Sequence, residues 1–345
     1  MNPNKKHKVG APRLDPVARL LHRFYEPMVL LRILNAARGA GEVELTVDPG
    51  SRSFQFIWRS FLDNLSWLCD NKHGGETVSS VAAQELPEGN TFWLVSRYGQ
   101  SLSHLQWVLA ELKAVRGRPD SERIDFEGRI AVKSIYFSKN KINTYARFLR
   151  INFGKARTDL QSEDGYEPLL QELEALTTLP QSHLELCHAA RSFAQHGMLS
   201  FLIESNSSTD TYSPWSAVRH YIGRLGCWFT KCHRLVLTAC RYPQLLENPT
   251  CQFLALPEPS RLPSSDAKTN LESALRRMLP LDQQHRATEL YNRLTELRDF
   301  NIEDAFIGNY SNDKTKTIVH AELLLMEHFY FNDLRFVGHT ILETS

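Results

Sequence analysis

The chain reads as a mostly α protein with α+β parts, and three observations predict that class. Apolar residues recur at helical spacing through most of the first 255 positions. The period drops to two at a hairpin in the first third, and again in short stretches near the C-terminus. Between these regions, a proline- and serine-rich run, Leu256 to Ser265, continues neither a helix nor a central strand. The expected organisation is a tail over 1–15, a mainly helical region over 16–255, a linker over 256–268 and a partial α/β domain over 269–345.

The composition bounds what the chain can be. At 345 residues, with 42% hydrophobic and 23% charged residues, it is long enough for one large domain or two ordinary ones. Lys and Arg number 40 against 39 Asp and Glu, so any contact with a polyanion has to be local. Lys5, Lys6, His7 and Lys8 read as a solvated terminus in preference to a nuclear signal. The six cysteines lack the paired framework of a small secreted protein, and no apolar leader follows Met1. Reduced thiols and an intracellular chain, cytoplasmic or nuclear, are therefore expected. No apolar run reaches the length that crosses a bilayer, so no membrane partner is expected.

Taken in order, Pro16 opens a helix carrying Val17, Leu20, Leu21, Phe24, Val29, Leu30, Ile33 and Leu34, broken or kinked at Pro27 and stopped by Gly39 and Gly41. A second helix, Phe54 to Cys69, is apolar on most sides. Asp70 to Gly75 is turn chemistry; Gly74-Gly75 has neither the strand-loop-helix order nor the Lys-Ser/Thr of a phosphate loop. Thr77–Val81 and Thr91–Val95, either side of Pro87-Glu88-Gly89-Asn90, form the hairpin. Helices follow over Leu102–Val115 (His104 on the polar side), the segment from Arg129 to Arg157, Tyr166–Leu176, Leu184–Ile203 and Trp215–Cys240. Beyond the linker come Leu271–Met278 and a stripe from Ala287 to Leu297, then a weak strand at Ala305–Gly308, a polar turn and a strand leading into His320.

That last strand ends in Val319-His320-Ala321-Glu322, followed by an apolar helix through Phe329 and a strand from Leu334 to Gly338. Residues two apart splay by roughly 200° on an ideal helix, so they flank one metal only if the first sits at the helix mouth. A His-x-Glu at such a mouth is how zinc deaminases supply one ligand and the carboxylate that moves protons. A lone His at a helix start also serves as a cap or a satisfied core residue.

On these residues the sequence resembles the fungal OTT-type nucleic acid/nucleotide deaminase-like proteins of the cytidine deaminase-like superfamily. Leu68-Cys69-Asp70 through Gly74-Gly75-Glu76-Thr77-Val78 and Tyr221-Ile222-Gly223-Arg224-Leu225 look like segments of that family's helical N-terminal region. The resemblance implies an incomplete cytidine deaminase-like α/β C-terminal domain, with His320 as a zinc ligand and Glu322 as the catalytic proton shuttle. It also implies a nucleotide or nucleic acid as partner. The family's Cys-x-x-Cys has no counterpart, since the last cysteine is Cys251, and neither His328 nor His339 restores the geometry. The expectation is a truncated, inactive member with zinc binding in question and a protein partner covering the C-terminal segment. The alternative is a helical protein-protein interaction scaffold without catalysis.

Two further clusters invite chemistry. From Arg129 to Arg157 the chain carries eight cations and no acid, interleaved with Tyr136, Phe137, Tyr145, Phe148 and Phe153. Lys139, Lys141, Arg147 and Arg150 are the candidate nucleic-acid contacts there, against a reading in which the aromatics are core and the cations a solvated face. His220, Cys227, Cys232 and His233 suggest zinc, but a Cys-x4-Cys on one helix points its thiols to different faces, and buried helical cysteines are the better account.

Overall fold

A computed structural model of the chain describes residues 16–34, 54–74, 78–160, 167–178, 182–195, 214–263, 265, 268–296, 301–311, 316–317 and 319–337. In chain order the elements are α1 (Pro16–Ile33), α2 (Phe54–Cys69), β1 (Ser80–Leu86), β2 (Gly89–Ser96), α3 (Gln100–Ala114), α4 (Asp120–Phe137), α5 (Lys139–Leu160), α6 (Glu167–Thr178) and α7 (His183–Gln195). There follow α8 (Pro214–Arg241), β3 (Thr250–Ala255), β4 (Ser260–Arg261), α9 (Leu271–Met278), α10 (Gln284–Thr295), α11 (Ile302–Ser311), β5 (Lys316–Thr317) and α12 (Ala321–Phe331). The chain is mostly α with α+β parts. It forms two compact units, one within Met1–Leu45 and Glu258–Ile318, the other within Thr46–Pro257 and Val319–Ser345. Residues 269–345 are thus shared between the two units.

In the first unit, α1 is one helix with Pro27 inside it, not two. Proline removes one backbone hydrogen bond, and the burial of Val29 and Leu30 beside it with Leu271, Leu275, Ile302 and Phe306 offsets that loss. Glu26, one turn earlier, is buried and held by a bidentate Arg277 at 2.9 and 2.5 Å. The opposite side of α1 turns Leu20, Phe24, Met28 and Leu31 outward. α9 starts at Asn270, whose side chain accepts from the Ser273 N–H at 2.8 Å. The strand expected over Ala305–Gly308 is helix α11. Asn301 caps it by accepting from the N–H groups of Glu303 and Asp304, and Ile302 and Phe306 share one buried face four residues apart. β5 pairs antiparallel with β4, so the expected linker itself contributes a strand.

The second unit is organised by α8, 28 residues long. Val218, Ile222, Leu225, Trp228, Cys232, Leu235, Val236 and Ala239 line one broad buried stripe along it. Gly226 lies on that stripe where α7 crosses; a Cβ there would stand 2.9 Å from the backbone of Arg191. The sheet has the order β1-β2-β3, with β1 antiparallel and β3 parallel to β2. The hairpin turns at Pro87-Glu88, and β1 begins at Ser80 and runs on through Ala82-Ala83-Gln84-Glu85. Those residues have little intrinsic strand preference; pairing and burial override it.

Alternation along the strands divides the sheet cleanly. Val81, Ala83, Phe92, Leu94, Cys251 and Phe253 face the helical core with α2, α3 and α8. Ala82, Trp93, Val95, Leu254 and Leu256 face the other way, onto Ala321, Leu325 and Phe329 of α12. The expected strand after α12 is reduced to one bridge, Phe336 with Gln84, while the Phe336 ring stacks on Phe329 at 4.1 Å. The helix carrying His320 therefore does rest on a sheet, but one built from residues 80–96 and 250–255 instead of its own neighbours in sequence.

Candidate functional site

His320 occupies the N-cap of α12 with an extended backbone (φ −64°, ψ 139°), and its carbonyl accepts from the N–H groups of Leu323 and Leu324. That extended residue brings the side chains together: Nδ1 of His320 lies 3.9 Å from Oε2 of Glu322. Both stand in solvent, with 73% and 57% of the side chains exposed. Ala321 between them, with Leu325 and Phe329, holds the side docked on the sheet.

A catalytic zinc of the deaminase type needs three protein ligands and a water on one open site. The described residues do not fit that requirement. Cys251, the cysteine nearest in sequence, packs on the far face of the sheet from α12, and burial pushes its thiol up to about 11, away from thiolate. His328 is taken by the sheet: its ring lies 4.4 Å from that of Trp93. Among the described residues no group of three or more His, Cys, Asp or Glu could hold a metal ion; His339 lies outside them. On α8, His233 contacts Glu127 at 2.9 Å and His220 meets Tyr221 edge-on, so the two histidines serve different neighbours.

Comparison with known proteins adds nothing to this geometry. No family model, no curated protein and no solved structure matches the chain. No helix among the described residues is long and apolar enough to cross a membrane.

The basic stretch from Arg129 to Arg157 is divided between α4 and α5, and the fold consumes most of it. Arg129 bonds Glu111, Lys133 lies 3.8 Å over the Trp107 ring, Arg150 donates to the Thr177 carbonyl at 3.0 Å and Arg157 pairs with Glu174. Lys141, expected to meet a phosphate, is instead 1% exposed: its Nζ is 3.0 Å from Oδ2 of Asp70 and 3.7 Å from the Trp67 ring. Lys139 and Arg147 remain exposed.

Around Lys141 the structure assembles a second cluster that the sequence did not announce. Trp67 and Asp70 come from the end of α2, Lys141, Tyr145 and Phe148 from α5, and Tyr221, Arg224, Cys227, Trp228 and Lys231 from α8. Burial pushes Asp70 up and Lys141 down, and each is opposed by the charge of the other. Oδ1 of Asp70 is buried without a hydrogen bond. His73 is lowered by burial and then by the Lys141 charge, and His220 by burial and then by Arg224. His104, expected on a polar side, is also buried: its ring stacks on Phe137 at 4.1 Å and burial lowers it to about 3. Asp70 and Lys141 are 71 positions apart, and no local spacing links them.

Proposed function

We propose that this chain is a deaminase-like protein of the nucleotide or nucleic-acid type that does not turn over substrate as it stands. One observation supports the reading: His320 and Glu322 stand 3.9 Å apart at the mouth of α12, where the resemblance expects a ligand and a proton shuttle, while the sheet lies between them and Cys251. An imidazole and a carboxylate alone do not lower the pKa of a water enough to give hydroxide near neutral pH; a closed metal site does.

The test is zinc content of the purified chain by mass spectrometry, together with ammonia release from cytidine, adenosine and oligonucleotides. Zinc far below one per chain and no ammonia above the blank are expected. Stoichiometric zinc that His320→Ala removes, or ammonia release that Glu322→Gln abolishes, would overturn the proposal.

A further inference from the structure

The cluster above Lys141 is layered. At the bottom are the buried Lys141 with its half-buried partner Asp70, and Tyr145 and Trp228. Above them Phe148 and Tyr221 are half-buried, with ring centroids 5.3 Å apart; Tyr145 lies 6.0 Å from Tyr221. At the rim His73, Arg147, His220 and Arg224 are exposed. His73 closes on Tyr145 at 5.3 Å and on Phe148 at 5.4 Å, and His220 meets Tyr221 at 5.1 Å. Arg147 sits 5.0 Å over Phe148, and Arg224 4.7 Å over Trp67.

The rim arginines differ from their neighbours. Arg129 and Arg157 have carboxylates, Arg150 has a carbonyl and Lys231 has Asp63 and Asn64. Among the described residues the guanidinium groups of Arg147 and Arg224 lie over aromatic rings, with no carboxylate or carbonyl bonded to them. Their guanidinium donors remain available for a bidentate oxyanion, and both imidazoles stand beside them as further polar partners. Half-buried rings flanked by arginines at a solvent-exposed rim are the combination that stacks a base while holding its phosphate.

We propose that this surface of α5 and α8, with His73, binds a nucleoside phosphate: the ring on Phe148 and Tyr221, the phosphate on Arg224 and Arg147. The site lies in the helical part of the chain and does not depend on His320 or Glu322. The same chemistry is offered by a free nucleotide and by single-stranded nucleic acid.

Calorimetric titration of the full chain with cytidine, inorganic phosphate, cytidine monophosphate and a ten-residue oligo-deoxycytidine tests it. Saturable binding of the monophosphate is expected, tighter than cytidine or phosphate alone and weakening as salt rises. An oligonucleotide at least about ten-fold tighter than the monophosphate assigns the site to a strand, and comparable affinities assign it to the free nucleotide. Arg224→Gln and Tyr221→Leu should each weaken binding by about ten-fold or more, as losing a charged hydrogen bond or a stacking platform does. Arg157→Gln, paired elsewhere with Glu174, should leave it unchanged. Unchanged far-UV dichroism shows that each variant is folded. No saturable binding of either nucleotide form at millimolar concentration would overturn the proposal. So would binding indifferent to Arg224→Gln and Tyr221→Leu, or phosphate alone binding as tightly as the monophosphate.

Discussion

Replacing Lys141 by Met isolates what the buried ion pair contributes. Methionine keeps most of the side-chain volume against Trp67 but removes the ammonium that lies 3.0 Å from Asp70. Breaking a buried pair from one side costs about 3–5 kcal/mol, because the remaining charge is uncompensated. Asp70 retains 18% exposure, and burial already raises it, so partial hydration or protonation relieves some of the penalty. The expected loss is therefore near the lower figure, about 3 kcal/mol, including a cation–π contact of roughly 0.5–2 kcal/mol. Urea unfolding at neutral pH, followed by far-UV dichroism and tryptophan fluorescence, measures it. Adding Asp70→Asn should recover more than about 1 kcal/mol, since the amide no longer needs a counter-ion. A single variant within about 1 kcal/mol of the parent, or a double variant no better than the sum of its parts, would refute the argument.

Other consequences follow from the same packing. His104 has its ordinary value near 6.5 in the unfolded chain and about 3 when folded, so the unfolded state binds the extra proton between those values. Its contribution is whole above pH 6.5 and falls by roughly 1.4 kcal/mol per unit as pH drops towards 3; unfolding of His104→Phe should show a flatter pH dependence in that window, and an unchanged slope would count against it. Gly226→Ala drives a Cβ into the Arg191 backbone at 2.9 Å and should cost about 1–3 kcal/mol by thermal unfolding, whereas Gly223→Ala, with open space around it, should not. Arg277→Ala leaves Glu26 buried without its bidentate partner, and hydrogen exchange of α1 should accelerate as about 3–5 kcal/mol is lost; equal protection in both chains would show that the pair is dispensable. Phe329→Ala removes the ring that packs between Trp93 and Phe336 and should speed exchange across 321–331 with little change in α8; uniform loss across the unit would contradict a locally docked helix.

The helices were legible because their signals are local. Phe54 to Cys69 is marked by crowded apolar spacing, and α9 by the helical stripe that begins at Leu271. α11 differs from the strand expected there because the short apolar run Ala305-Phe306-Ile307 has no period of its own, and the cap at Asn301 and the burial of Ile302 and Phe306 set it as a helix. β3 has no local signal for another reason. Cys251, Phe253 and Leu254 become a strand only beside β2, 159 residues away in sequence at Thr91 and Thr250, and a parallel pair needs a long crossover that no window of sequence reveals.

Sequence alone determined the mostly helical class, the hairpin, and the placing of His320 at a helix mouth two residues before Glu322, since periodicity, turn residues and caps act within a few positions. Tertiary structure decided which sheet α12 rests on, which side of it Cys251 occupies, and that Lys141 lies in the core on Asp70 while Arg147 and Arg224 stay at the surface. Burial and ion pairing are properties of residues brought together across long stretches of chain. A charge written in the sequence therefore takes its role only from the partners that folding places beside it.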